Sequence, residues 1–177
     1  MIRVHPGFPL THEDYLPLLE RMQGWPVAAI AHSLGALDAL GEPIDGTTIL
    51  LAPSVPRRRS GRPALRALLL AAHRSPWSTA LAERLRIATF HRYGASAPLG
   101  SALPLDSAAS RLRTPHRIGR PQGPLLVVCA EGDPRRPTQE RFAAELGAEV
   151  LQAPGGHLFP VTHPAETAAA LAAALLR

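Results

Sequence analysis

Cysteine occurs once in this chain, at Cys129, which excludes an internal disulfide and any zinc site built from cysteines. Lysine and asparagine do not occur, so all 19 basic residues are arginine. Together with abundant alanine and proline, this is the bias of a GC-rich coding sequence and calls for no function. No apolar run reaches the roughly 18 to 20 residues that a membrane span requires, so no membrane partner is expected. Met1-Ile2-Arg3-Val4-His5 passes straight into a strand-like stretch rather than a basic segment followed by an apolar one. A secretion signal is therefore not expected, and a cytoplasmic location is. Aromatics are scarce, at 5%, and do not interleave with the arginines as a stacking groove for single-stranded nucleic acid needs. Despite the formal charge of +5, nucleic acid is not an expected partner. The arginines are scattered except for Arg57-Arg58-Arg59, Arg62 and Arg66. That cluster reads as a solvated face, with an anionic carrier or a phosphopantetheine arm as the sharper alternative.

What is present suits a soluble globular chain: 177 residues with 46% apolar content suffice for one domain with a real core and not for two substantial ones. Strand-like runs alternate with helical ones. Ile2–Val4 precedes the turn-rich His5-Pro6-Gly7-Phe8-Pro9; a helix follows, with Thr11 as N-cap and Asp14 as the capping-box acid, and ends at Gly24. Trp25–Ile30, Thr47–Ala52, Leu125–Ala130 and Glu149–Gln152 are the further strands. Helices are predicted from about Ser33 to Leu40, Pro63 to His73, Pro76 to His91, Pro137 to Leu146 and Pro164 to Leu176. The strands are continuous apolar runs, the pattern of a parallel sheet buried on both faces. Residues 55–122 lack that alternation and end in some thirty residues rich in Pro, Gly, Ser and Ala, so they are expected to form a cap or lid over a core made of 1–54 and 123–177.

Chemistry-bearing residues fall at the ends of the strands, where the loops of a parallel sheet meet. In Ala31-His32-Ser33-Leu34-Gly35 a serine sits between small residues at a sharp strand-to-helix turn, where larger side chains would collide with neighbouring backbone. Asp133 in Glu131-Gly132-Asp133-Pro134 ends the fourth strand, and His157 in Gly155-Gly156-His157 follows the fifth. A serine hydroxyl is a weak nucleophile that must pass its proton to a base, a task that suits imidazole with its ordinary pKa of about 6.5. Taken singly, each has a plainer role. Asp133 could be a turn residue before Pro134, and Asp106 is a rival acid. His32, Pro6 and Gly7 read as loop-shaping, His163 as a helix cap, and Cys129 as a small buried hydrophobe.

Taken together and in order, Ser33, Asp133 and His157 with the His5–Pro9 loop resemble the α/β-hydrolases, whose serine, acid and histidine follow that order. The resemblance covers about residues 1–54 and 123–177. It implies a minimal α/β-hydrolase-like fold of about five parallel strands with flanking helices and a helical cap. Ser33 would be the nucleophile, His157 the base and Asp133 the acid that fixes its tautomer, while the backbone N–H groups of Phe8 and Leu34 hold the oxyanion. No cofactor or metal is implied. The expected activity is hydrolysis of an ester or thioester of a small metabolite or a carrier-bound acyl group. The alternatives are a cyclase, isomerase or lyase using His157 and Asp133, and a binding protein on a degraded scaffold.

The chain departs from the family in lacking two strands before the oxyanion loop and a strand and helix before the elbow. Five strands in the order 1-2-3-4-5 remain. Right-handed crossovers should then put all four connecting helices on one face, with only Pro164–Leu176 free to cover the other. Such a sheet implies a homodimer, through the under-covered face or an edge, or a folded-back middle section.

Overall fold

The computed structural model describes residues 1–55, 63–93, 98–111, 119 and 122–175. Arg57, Arg58, Arg59 and Arg62 lie outside the described residues. Five parallel strands form one sheet in sequence order, β1 (Arg3–His5), β2 (Val27–His32), β3 (Thr47–Leu51), β4 (Leu125–Ala130) and β5 (Glu149–Ala153). Each expected strand is present, shifted by a residue or two at its ends, and the all-parallel pairing is as the continuous apolar runs imply.

Alternation along the strands sends side chains to two separate cores. Ile30, Ile49, Leu51, Leu126, Val128 and Ala130 point to one face, where they meet Leu18 and Met22 from the first connection and Phe159, Ala168 and Leu171 from the last helices. Ala29, Ala31, Leu50, Val127 and Cys129 point to the other, against Ala36, Ala39, Leu40, Phe142 and Ala143. The helices thus divide. On the first face lie a 3-10 turn (His12–Tyr15), α1 (Leu16–Arg21), α7 (Phe159–Thr162) and α8 (Pro164–Leu175); on the second lie α2 (Gly35–Gly41) and α6 (Arg136–Leu146).

This corrects the expectation that all four connections share a face. The β1-to-β2 connection through α1 runs opposite in hand to those through α2 and α6, against the usual preference. Its physical reason lies at the start of α2: a Cβ on Gly35 would overlap the carbonyl oxygen of His5, so α2 already occupies the space over the end of β1. The first connection crosses on the free face, where Leu10, Tyr15, Leu18 and Met22 are buried with α7 and α8. Helices therefore cover both faces, and the premise of an under-covered face does not hold. Exposure remains at the edge strand β5, where Glu149, Val150 and Gln152 face solvent.

Between β3 and β4 come α3 (Pro63–His73), α4 (Ser78–Arg92) and α5 (Leu105–Arg111), the last in a stretch read from sequence as irregular. They form a small cluster of Leu69, Ala82, Leu105 and Ala109, into which Phe8 packs. A fully buried ion pair ties them to the core. Arg86 of α4 donates to both oxygens of Asp14, at 2.6 and 2.7 Å, and to the carbonyl of Gly100, while Leu99 N–H donates to Asp14. Asp14 also accepts from Thr11 N–H at 2.9 Å, the capping-box bond expected from the sequence.

Candidate active site

β2 delivers Ser33 to the site and the backbone then reverses sharply. Ser33 has φ of +50°, a left-handed conformation that a non-glycine residue adopts at a cost. The strain is held in place from both sides. Ser33 N–H donates to Leu51 at 3.0 Å, and the Ser33 carbonyl accepts from Ser54 N–H at 2.8 Å and from Ala36 N–H at 3.2 Å. Gly7 presses on the same turn: a Cβ there would come 2.7 Å from His32 Nδ1 and 3.0 Å from Ser33 Cβ. Gly7 and Gly35 are thus required by close approach rather than by their own dihedrals.

The β4 and β5 loops bring the other two groups. Gly132 N–H donates to the Gly155 carbonyl at 2.9 Å, joining the loops that carry Asp133 and His157. His157 Nδ1–H donates to Asp133 Oδ2 at 2.7 Å, and Ser33 Oγ–H donates to His157 Nε2 at 2.9 Å. All three residues are buried. Asp133 is held by groups the sequence analysis did not single out: Gln139 Nε2–H donates to Oδ2 at 3.0 Å, and Arg135 N–H and Nε–H donate to Oδ1 at 3.0 and 3.3 Å. Burial alone would raise the Asp133 pKa, but hydrogen bonds from His157 and Arg135 outweigh it and hold the carboxyl well below the usual range. For His157, burial disfavours the imidazolium more strongly than Asp133 favours it, so its pKa lies below the ordinary value. The ring is neutral near pH 7, with Nε2 open to accept a proton.

A family model described as the Alpha/beta hydrolase family matches residues 3–170. The chain belongs to that family. Among solved structures this alpha/beta hydrolase is similar to a thermophilic esterase from Thermogutta terrifontis, with a TM-score of 0.61 and 17% identity over 99% of this chain and 88% of that one. It is also similar to the thioesterase domain from the curacin biosynthetic pathway (TM-score 0.49, 16% identity, 99% and 89% covered). An alpha/beta hydrolase fold protein from Burkholderia ambifaria gives a TM-score of 0.47 and 21% identity over 90% and 69%. At such identities the likeness is one of fold. No curated protein matches the sequence.

The remaining candidates of this alpha/beta hydrolase fall as follows. Leu34 is the N-cap of α2 directly after Ser33, and Phe8 follows the Gly7 that packs against Ser33; among the described residues neither backbone N–H has an acceptor. His32 is buried and bonded through both ring nitrogens, as a structural residue would be. Asp106 sits on α5 facing His73 at 3.7 Å, so it does not compete for His157. The His163 carbonyl accepts from Thr167 N–H at 3.0 Å in the first turn of α8, a capping role, and its ring lies against Gly155. Cys129 is buried beneath α6, and burial pushes its thiol up to about 11. Tyr93, at the end of α4, stands with its ring 5.6 Å from that of His157 and is exposed. It lies just beyond a stretch read as a helix, and no sequence signal pointed to it. Among the described residues no group of three or more His, Cys, Asp or Glu could hold a metal, and no helix is long and apolar enough to cross a membrane.

Proposed function

We propose that the chain is a serine hydrolase acting on an ester or thioester, with Ser33 as nucleophile, His157 as general base and Asp133 as its orienting acid. The observation that carries this reading is the unbroken hydrogen-bonded run from Ser33 through His157 to Asp133, starting at a strained elbow. In the scheme, Ser33 Oγ attacks the substrate carbonyl carbon as its proton passes to His157 Nε2. Asp133 stabilises the imidazolium that forms. The oxyanion is held by Leu34 N–H and Phe8 N–H, each such donor contributing about 3 kcal/mol to transition-state stabilisation. The imidazolium returns the proton to the departing alkoxide or thiolate, leaving an acyl group on Ser33. Water, deprotonated by His157, then releases the acid and regenerates the serine.

The described helices α3 to α5 form the cap in this reading, over a small-metabolite or carrier-bound acyl substrate. Phe8 packed into the α3–α5 cluster and Tyr93 beside His157 support an apolar wall on that side. The proposal keeps the cytoplasmic location expected from the sequence and a homodimer, now through the exposed edge β5 rather than a bare face.

The test is labelling with a fluorophosphonate probe. Modification of Ser33, and loss of turnover in Ser33→Ala, are expected. A folded protein that stays unlabelled overturns the proposal; full turnover of a substrate by Ser33→Ala would point instead to non-hydrolytic acid-base chemistry by His157 and Asp133.

A further inference from the structure

His32 joins two parts of the site that the proposed reaction needs to keep in register. Its Nε2 lies 2.8 Å from the His157 carbonyl oxygen, and a carbonyl can only accept. Nε2 therefore carries the proton. The buried ring is neutral: burial, and next the neighbouring His157, push its pKa down to about 3. Nδ1 is then a bare acceptor, and the hydroxyl 2.9 Å away on Tyr15 must be its donor. That hydroxyl in turn accepts from Gly7 N–H at 3.2 Å. The proton order along these three bonds follows. Gly7 donates to Tyr15, Tyr15 to His32, and His32 to the backbone of His157.

We propose that Tyr15 and His32 are positioning residues that lock the loop bearing the Phe8 N–H to the backbone of His157. Gly7 immediately precedes Phe8, so the Tyr15 hydroxyl fixes the peptide next to the proposed oxyanion donor. The His32 ring holds the backbone of the proposed base from the opposite end of the same chain of bonds. Neither residue touches the reacting atoms. Tyr15 is itself set by the 3-10 turn whose buried Asp14 is gripped by Arg86, so the seat of α4 and the geometry of the oxyanion loop share one anchor. The inference concerns how the proposed site is held, and its catalytic arm rests on the hydrolase reading.

The test uses Tyr15→Phe, which keeps the ring and removes one hydroxyl, in the full chain. With a p-nitrophenyl ester, kcat is expected to fall about 10- to 100-fold with KM within about threefold, since misplacement of a group near the chemistry costs on that order. Affinity for a phenylboronic acid, which forms a tetrahedral adduct on a nucleophilic serine, should fall in parallel with kcat. His32→Gln, whose amide can still donate to the His157 carbonyl, should retain more activity than His32→Ala. A second arm needs no turnover. By NMR, His32 in the wild type should show the Nε2–H tautomer and stay neutral at pH 5, and in Tyr15→Phe the amide of Gly7, which loses its acceptor, should exchange at least tenfold faster. A kcat unchanged in Tyr15→Phe, or a fall confined to KM, overturns the inference. So does unchanged exchange at Gly7, and this arm decides the matter even if the wild type is never labelled at Ser33, an outcome that sinks the hydrolase reading alone.

Discussion

Arg86 and Asp14 meet in a two-oxygen ion pair with both side chains fully out of solvent, 72 residues apart in sequence. Taking two charges out of water is costly, and removal of one partner strands the other in a place it cannot leave. Arg86→Met and Asp14→Asn should therefore each destabilise the fold by about 3 to 5 kcal/mol in urea unfolding. The double variant should lose much less than the sum of the two. Strict additivity would mean that the pair is not coupled.

Asp133 and Asp106 were competing candidates for one role, and the structure separates them. Asp133→Asn should lower kcat by about 10⁴-fold, because the amide can donate to His157 Nδ1 and so favour the wrong tautomer. Asp106→Asn, at a residue that faces His73 rather than His157, should leave kcat unchanged. Steady-state kinetics on the two variants decides between them.

The histidines set the acid side of the pH behaviour. His157 must be neutral to take a proton, and its pKa is depressed, so kcat/KM should fall as pH drops through an apparent pKa below 6.5, with the slope of a single proton. Stability follows the same direction. Between pH 6.5 and about 3 the unfolded chain protonates His32 while the folded one does not, so the fold loses stability as pH falls across that window. The slope from this residue approaches about 1.4 kcal/mol per pH unit. Asp133 adds to the loss at still lower pH, because its folded pKa lies below its unfolded one. Urea titrations at pH 4, 5.5 and 7 measure the sum, and equal stability at all three would contradict the burial of a neutral His32.

Two glycines should respond very differently to alanine. A Cβ at Gly35 meets the backbone of His5 and one at Gly147 meets nothing within 4 Å, although Gly147 has φ of +67°. Gly147→Ala should cost about 1 to 2 kcal/mol, the penalty of a left-handed residue. Gly35→Ala must push α2 off β1 and disturb the elbow. It should cost more than Gly147→Ala and reduce labelling of Ser33.

Cys129 offers a simple report on folding. Its thiol is fully buried and held in the neutral form by burial, so a disulfide reagent should fail to modify it in the native protein and react once in urea. Rapid native modification would show that α6 does not cover β4.

Much of the site was legible because each of its parts is local. A serine between Ala31 and Gly35, an acid just after a strand, a histidine after a glycine pair and a His-Pro-Gly loop are recognised one at a time, and parallel strands place their C-terminal loops together whatever the details between them. Residues that act at a distance left no such trace. Gln139 lies six positions beyond Asp133, on the first turn of α6, while Asp133 lies outside that helix, so no periodicity linked the two. Arg86 sits in a stretch read as a helix and Tyr93 just beyond it, and nothing in their neighbourhoods says which loop they meet.

The amino-acid sequence by itself determined the strands, their parallel sense, the order of Ser33, Asp133 and His157, and the need for small residues at the elbow, since all of these follow from local periodicity and from the sterics of one turn. Only the tertiary structure decided which face α1 takes. Handedness alone put it with α2, but Gly35 seats α2 on the end of β1, and the apolar residues from Leu10 to Met22 find their partners in α7 and α8. The same holds for the proton order through Tyr15 and His32, because a tautomer is chosen by the acceptor it faces and not by the residues beside it in the chain.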